Sequence, residues 1–363
     1  MPIRQRFDRL LLGATVLLTA IGLAVLASAS WLIATERYGR PGSYFFTWQA
    51  ATAMVGLGLL VVSMHLKIAL FGDRRLIYTA VAGSWLLLAA AFAQSPVAAT
   101  HRWVSVAGLS LQPSVLLRLA LVILCAVTLV ELRCEAWPRR RLLVLGAVCL
   151  ASTAVVVAQP DLGSAALLLM VLGAMAFVSG MPWRLLAAPA ALAVLALAVA
   201  IIASPYRLAR VRAFLDADSA AAASWQSQQS LIAIGSGGLF GRGYGSGLQK
   251  LFFLPEPHTD FIFAITGEEL GLVGLMTLLV LAAMIAWRGF VIAGRLADPR
   301  LALLAFGLTT AFAAQTLVHM AVCLDMLPPK GIPLPLVSYG KTELVASLVS
   351  MGLLLNLSRE VAP

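Results

Sequence analysis

The feature that most constrains this chain is its succession of apolar runs, each about 18 residues or longer, divided by short polar stretches. A run of that length crosses the hydrocarbon core of a bilayer as a helix, because a helix satisfies its own backbone N–H and C=O groups where no water is available. Spans are read near residues 10–33, 45–66, 76–93, 114–131, 142–158, 163–180, 184–203, 260–287, 301–324 and 342–358. The expectation is an all-α, polytopic membrane protein with about ten transmembrane helices in a single domain over residues 1–363. With 61% hydrophobic and 12% charged residues, an ordinary soluble enzyme is excluded. The first run exceeds the length of a signal-peptide core and further runs follow it, so it is expected to remain in the membrane.

A net charge of +10 invites a nucleic-acid reading, but the cations are placed as topology signals instead. They gather at Arg4, Arg6 and Arg9, at Lys67, Arg74 and Arg75, at Arg139 to Arg141, and at Arg288, Arg295 and Arg300. The short loops on the opposite side hold only Arg37, Arg40, Arg102, Lys330 and Lys341. The positive-inside rule then puts both termini in the cytoplasm. Cys125, Cys134, Cys149 and Cys323 form no disulfide framework or metal pattern.

Three outside segments are long or polar enough to build a site. Residues 94–113 alternate like an interfacial ribbon or a short amphipathic helix and carry Arg102 and Trp103. Residues 204–259 form the one large extracytoplasmic loop. It joins a basic segment (YRLARVRAFLD), a polar helix candidate (SWQSQQSLIAIG) and seven glycines between Gly235 and Gly247. Those glycines read either as turns or as a phosphate cradle of backbone N–H groups. Residues 325–341 carry four prolines, which forbid a regular helix.

The stretch 254–274, LPEPHTDFIFAITGEELGLVG, crowds ionisable groups at the entrance of an apolar run. A charge at membrane depth is costly, so such groups face a cavity or serve a site. Asp260 reads as a general base or as a helix N-cap, Glu256 and His258 as its tuners, and Glu268 and Glu269 as ties between helices. Arg102, Arg118, Arg242, Lys250 and Lys330 would suit an anionic substrate. Asp161, in the polar break QPDLG, either caps a helix or lines the cavity. No metal motif is present; two ligand types near Asp260 leave a divalent cation, magnesium or manganese, as an open option.

Several long motifs in order then resemble one family. They are FDRLLLGATVLLTAIGLAVLASAS at the start, RW and LQPS at 102–114, QPDLGSA at 159–165, RAFLD at 212–216, QSLIAIGSGGLFGRGYG at 229–245, LPEPHTDFIFAITGEELG, and PPKGIPLPLVSYG at 328–340. The chain resembles the SEDS proteins, the FtsW and RodA type, almost end to end. The resemblance implies a SEDS-type fold in the bacterial cytoplasmic membrane and a glycosyltransferase that polymerises lipid II into peptidoglycan on the outer face. It implies a polyprenyl pyrophosphate-linked glycan as donor and a class B penicillin-binding protein as partner, among other divisome or elongasome membrane proteins. Asp260 matches the family's essential aspartate, and Arg102, Arg118, Arg242, Lys250, Glu256, His258, Lys330 and Ser338 become substrate-binding candidates.

Gly267 and RAFLD lean towards the FtsW branch and a division role, with RodA-like elongation as the alternative. A lipid II transporter and a non-catalytic scaffold are the other functional readings. Two departures stand out. The family's QPSE reads QPSV, so Val115 replaces a glutamate three residues before Arg118. The family's SYGGSS reads SYGKTE, which offers Glu343 as a substitute counter-charge for Arg118. The expectation is that Arg118 and Glu343 lie within salt-bridge reach.

Overall fold

The structure is a computed structural model describing residues 7–94, 101–106, 109–215, 222–251 and 253–361. Ten helices match the ten expected spans: α1 (Arg9–Glu36), α2 (Tyr44–Met64), α3 (Arg74–Ala93), α4 (Pro113–Cys134), α5 (Arg139–Ala158), α6 (Leu162–Val178), α7 (Trp183–Ile202), α10 (Ile262–Arg295), α11 (Pro299–Cys323) and α12 (Lys341–Leu357). Eight of them are long and apolar enough to cross a membrane, while α6 and α12 have 17 residues each. Between α7 and α10 the expected large loop folds into α8 (Pro205–Leu215) and α9 (Ala222–Gly237), so its polar helix candidate is a helix. The 94–113 segment is a ribbon where described: β1 (Val104–Val106) pairs antiparallel with β2 (Leu109–Leu111), in the register Val104 to Leu111. Residues 95–100, 107–108 and Asp216 of the RAFLD motif lie outside the described residues.

Local chemistry sets many of the helix starts. Asp8, Asp73, Asp161 and Asp298 each accept a backbone N–H two or three residues on, as N-caps of α1, α3, α6 and α11. Each supplies an acceptor to a helix end that has none of its own. Pro113 and Pro299 occupy the first turn, where a missing N–H costs nothing. Inside the spans, the hydroxyls of Thr15, Thr19, Thr266, Thr309 and Thr316 bond to the carbonyl four residues back and so hide their polarity.

Small residues bring the helices together, as expected where apolar surroundings give helix pairs little hydrophobic drive to associate. Gly56 and Gly352 let α2 and α12 touch through Leu348 and the Leu60 backbone, and Gly289 of α10 seats Thr309 of α11. Gly307 of α11 lies against Met175 of α6 and Val122 of α4. At one end of the bundle the Asp8 N–H donates to Ser358 Oγ at 3.1 Å, and the Arg288 guanidinium reaches Asp8 Oδ2 at 2.6 Å. Both ends of the described chain therefore share one face, as an even number of crossings requires.

The helix α10 is broken at Gly271, whose φ of 65° and ψ of −161° belong to glycine alone. The glycine segment 237–247 is laid across this break. Arg242 and Gly243 N–H groups donate to the carbonyls of Glu268 and Glu269, and Leu272 and Val273 donate to the carbonyls of Gly238 and Leu239. A Cβ on Gly237 would enter the Gly267 carbonyl, and one on Gly241 that of Glu269. The splice makes good the bonds that the broken helix lacks, a requirement for irregular backbone at membrane depth.

Candidate active site

Above the break, residues 262–270 form a half-helix whose start carries the HTD turn. No side chain caps it: its N-cap position is Phe261, so the geometry does not make Asp260 the cap. The turn is instead held by the proline-rich segment 325–340. Ser338 Oγ donates to the Thr259 carbonyl at 2.7 Å and accepts the Leu334 N–H at 2.8 Å, and the Tyr339 N–H donates to the His258 carbonyl at 3.0 Å. That segment is irregular throughout, and the bundle takes up its carbonyls. Gln315 Nε2 reaches the Pro333 oxygen, His319 Nδ1 lies 2.7 Å from the Ile332 oxygen, and Gln49 Nε2 bonds Ser338 O at 3.0 Å.

Against this scaffold Asp260 faces Gly331, where a Cβ would come within 3.2 Å of Oδ2. Burial pushes the Asp260 carboxyl up to about 7 from its ordinary 3.8; Glu256 adds to the rise, while a Thr259 hydrogen bond and the charges of Arg102 and Arg210 oppose it. A carboxylate poised near neutrality inside a field of cations is a candidate for acid–base work. Arg210 is the residue that sequence reasoning passed over. It projects from α8, and its Nη1 donates to the Pro329 carbonyl at 3.0 Å, beside Lys330. Its only sequence signal was membership of the basic segment 206–212; the reach to Pro329 depends on how α8 folds back over the bundle.

Arg102 extends the cation set. Its Nε stands 3.9 Å from Asp161 Oδ2, without a hydrogen-bond partner, and its Nη2 bonds the Pro160 carbonyl. Asp161 caps α6 through the Ser164 N–H and lies against Arg102. Lys330 is partly buried, which lowers its pKa, while the Asp161 charge raises it. Arg102, Asp161, Arg210, Lys330 and Asp260 thus form one polar group.

The remaining candidates are placed elsewhere. Lys250 is buried, with Nζ on Glu269 Oε1 at 2.6 Å, Ser28 Oγ at 2.8 Å and the Gly245 carbonyl at 2.8 Å. Glu268 accepts the N–H groups of Leu248 and Gln249, and Arg242 stands 3.8 Å from it. Glu268 and Glu269 are therefore ties that fasten the glycine segment, and through Ser28 the helix α1, to α10. The glycine segment's N–H groups at 242, 243 and 245 are spent on those two residues rather than turned to a ligand.

Glu256 pairs with Arg37 at 2.8 Å. His258 is buried between Phe45 and Tyr339, and burial, with the Arg37 charge, lowers its pKa to about 4, so the ring is neutral. Among the described residues no group of three His, Cys, Asp or Glu converges. Glu256, one of the two ligand types near Asp260, is engaged by Arg37.

Arg118 meets Glu343 as expected, Nη2 to Oε1 at 2.6 Å, and its other nitrogen bonds Gln315 Oε1 at 2.7 Å. Val115 lines the same small cavity, of about 30 Å³, beneath Pro335. The pair thus supports the proline-rich segment from below rather than joining the Asp260 group.

The fold and site define a polytopic helical membrane protein with a partly buried carboxylate and a cation cluster at one end of its bundle. The family described as "Cell cycle protein", FTSW_RODA_SPOVE, matches residues 8–362. The chain is 33% identical over 362 residues to a "Probable peptidoglycan glycosyltransferase FtsW" of Geobacter sulfurreducens, covering 98% of this chain and 95% of that one. It is 34% identical to the FtsW of the same description from Halothiobacillus neapolitanus, covering 98% and 87%. Among solved structures, the Thermus thermophilus rod shape determining protein RodA superposes with a TM-score of 0.71 at 28% identity, covering 98% of each chain. A chain from a study of "structural coordination of polymerization and crosslinking by a peptidoglycan synthase complex" superposes at 0.76 and 27% identity, covering 97% and 98%. The chain belongs to the FtsW/RodA/SpoVE family.

Proposed function

We propose that this protein is a peptidoglycan glycosyltransferase that polymerises lipid II, with Asp260 as general base. The observation that carries the reading is the placement of Asp260 against Gly331 of the proline-rich segment, within the field of Arg102 and Arg210, which leaves its carboxyl pushed up to about 7. A sugar hydroxyl is a weak nucleophile at neutral pH. As the acceptor's 4-hydroxyl oxygen attacks the anomeric carbon of the donor glycan, its proton passes to the Asp260 carboxylate. The bond from that carbon to the polyprenyl pyrophosphate oxygen breaks, and its electron pair leaves with the pyrophosphate. Arg102, Arg210 and Lys330 stabilise the charge that grows there.

The relatives named FtsW, together with Gly267 and the RAFLD motif, support a septal rather than an elongation role. The similarity to a chain of a peptidoglycan synthase complex supports a class B penicillin-binding protein as partner. The arginine-rich end, holding Asp8, Arg288 and Ser358, is assigned to the cytoplasm and the Asp260 end to the outer face.

The test is polymerisation of labelled lipid II by the purified protein with its cognate class B penicillin-binding protein. Glycan chains are expected from the wild type and none from Asp260→Ala, with a thermal unfolding temperature no lower than the wild type's showing an intact fold. Chains made by Asp260→Ala would remove the mechanism. An inactive wild type that moves lipid II across liposomes would replace it with transport.

A further inference from the structure

At the arginine-rich end of the bundle, α4, α6, α10 and α11 part to leave a cleft of about 720 Å³. Its walls are Val130, Val178, Phe290, Ala302, Leu303 and Phe306, with the Phe290 and Phe306 rings 5.6 Å apart. One cation, Arg133, stands at its rim beside Ser179. The arginine lies over the α6 C-terminus, its Cζ 3.7 Å from where a Gly180 Cβ would be. There the helix dipole holds a cation without neutralising it.

Three carboxylates at this end are already engaged. Glu131 pairs with Arg74 and Arg141, Glu135 with Arg141, and Asp298 with Arg300. The Arg133 guanidinium forms no ion pair or hydrogen bond among the described residues. An apolar cleft of small-molecule size, rimmed by an uncompensated cation at the membrane boundary, asks for an amphipathic anion.

We propose that this cleft binds an anionic glycerophospholipid, with an acyl chain between α6 and α10 and the headgroup phosphate on Arg133. A partner's apolar membrane helix in the cleft would leave Arg133 without a counter-charge. The site lies at the opposite end from Asp260 and does not depend on the polymerase reading.

The experiment adds palmitoyl-oleoyl phosphatidylglycerol or the matching phosphatidylcholine to the full-length protein in detergent. Retained lipid is counted by native mass spectrometry, and thermal unfolding is followed in parallel. The wild type should retain phosphatidylglycerol in preference to phosphatidylcholine and be stabilised by it. Arg133→Gln should weaken that retention about fivefold, the worth of one cation near an anionic headgroup, while Arg133→Lys restores most of it. Ala302→Phe should fill the cleft and lose retention of both lipids, and Arg139→Gln, outside the cleft, should behave as wild type.

Lipid-free unfolding temperatures equal to the wild type's separate loss of the site from loss of the fold. The proposal is overturned if the wild type retains the two lipids equally, if Arg133→Gln keeps its preference, or if Ala302→Cys cross-links to a partner's membrane helix in cells.

Discussion

Replacing Glu343 by glutamine probes the charge pair that this chain has relocated. The Arg118 and Glu343 side chains are only 15% and 7% exposed, so the pair is desolvated on both sides. Removing one member of such a pair costs about 3–5 kcal/mol, because the other charge is left buried and uncompensated. Arg118 keeps its bond to Gln315 at 2.7 Å, which places the expected loss at the low end, about 3 kcal/mol, or roughly a hundredfold in the folding equilibrium. Denaturant unfolding in mixed micelles, followed by tryptophan fluorescence, reads that shift directly.

The decisive variant is the double change Val115→Glu with Glu343→Ser. Val115 lies three residues before Arg118, on the same helix face, and both line the one cavity. A carboxylate there should recover about half or more of what Glu343→Ser loses, on the order of 1.5 kcal/mol. If Glu343→Gln shifts stability by less than about 0.5 kcal/mol, the pair behaves like a surface bridge and the desolvation argument fails. If the double variant is no better than Glu343→Ser, the two positions are not interchangeable counter-charge sites.

Three further outcomes are expected. With the Asp260 carboxyl near 7 in the fold and 3.8 as its ordinary value, the folded state holds a proton between those pH values that the unfolded state has released. Stability therefore falls as pH rises across that window, and Asp260→Asn should be more stable than wild type at pH 8, by at most about 4 kcal/mol; equal unfolding midpoints at pH 8 would contradict the burial of this carboxyl. Gly271→Ala forces a side chain into the glycine-only conformation at the α10 break and onto Gly241, so it should cost more than about 2 kcal/mol or prevent folding; wild-type expression and unfolding temperature would deny the splice. Arg210→Gln should lower kcat of polymerisation about tenfold or more, with unfolding unchanged, if its charge stabilises the leaving pyrophosphate; an unaltered kcat would remove it from the site.

The transmembrane frame was legible because run length is a local signal; of the aspartate caps that the structure uses, only Asp161 was read from the sequence. Asp8, Asp73, Asp161 and Asp298 announce helix starts by their own chemistry, and the structure uses each one so. The Arg118 to Glu343 pair was also legible, since a cation in an apolar run demands an anion and few were on offer. The break at Gly271 was not, because GEELGLVGL reads as continuous helix until a second segment arrives to pair with it. The seven glycines of 235–247 were the other half of that signal, and alone they suited a phosphate loop equally well. Lys250 was hidden for the same reason: its burial on Glu269 and Ser28 joins residues 19 and 222 positions apart. Arg210 needed the course of α8, which no periodicity fixes.

These placements give Asp260 a property that no single residue supplies. Its carboxyl is raised by burial and held down by Arg102 and Arg210, two cations proposed to receive the donor's pyrophosphate. When an anionic donor takes up those charges, their lowering effect on the carboxyl is spent and the pKa rises further, so the base grows stronger once its substrate is in place. The sign can be read from kinetics, because kcat/KM reports groups of the free enzyme and kcat those of the loaded one. Both should fall towards acid pH as Asp260 takes up a proton, with the kcat limb at higher pH than the kcat/KM limb. In Arg210→Gln one opposing charge is already gone, so the kcat/KM limb should itself move upward and the separation between the two should narrow. Coincident limbs in the wild type would mean that the cations and the base do not share a substrate.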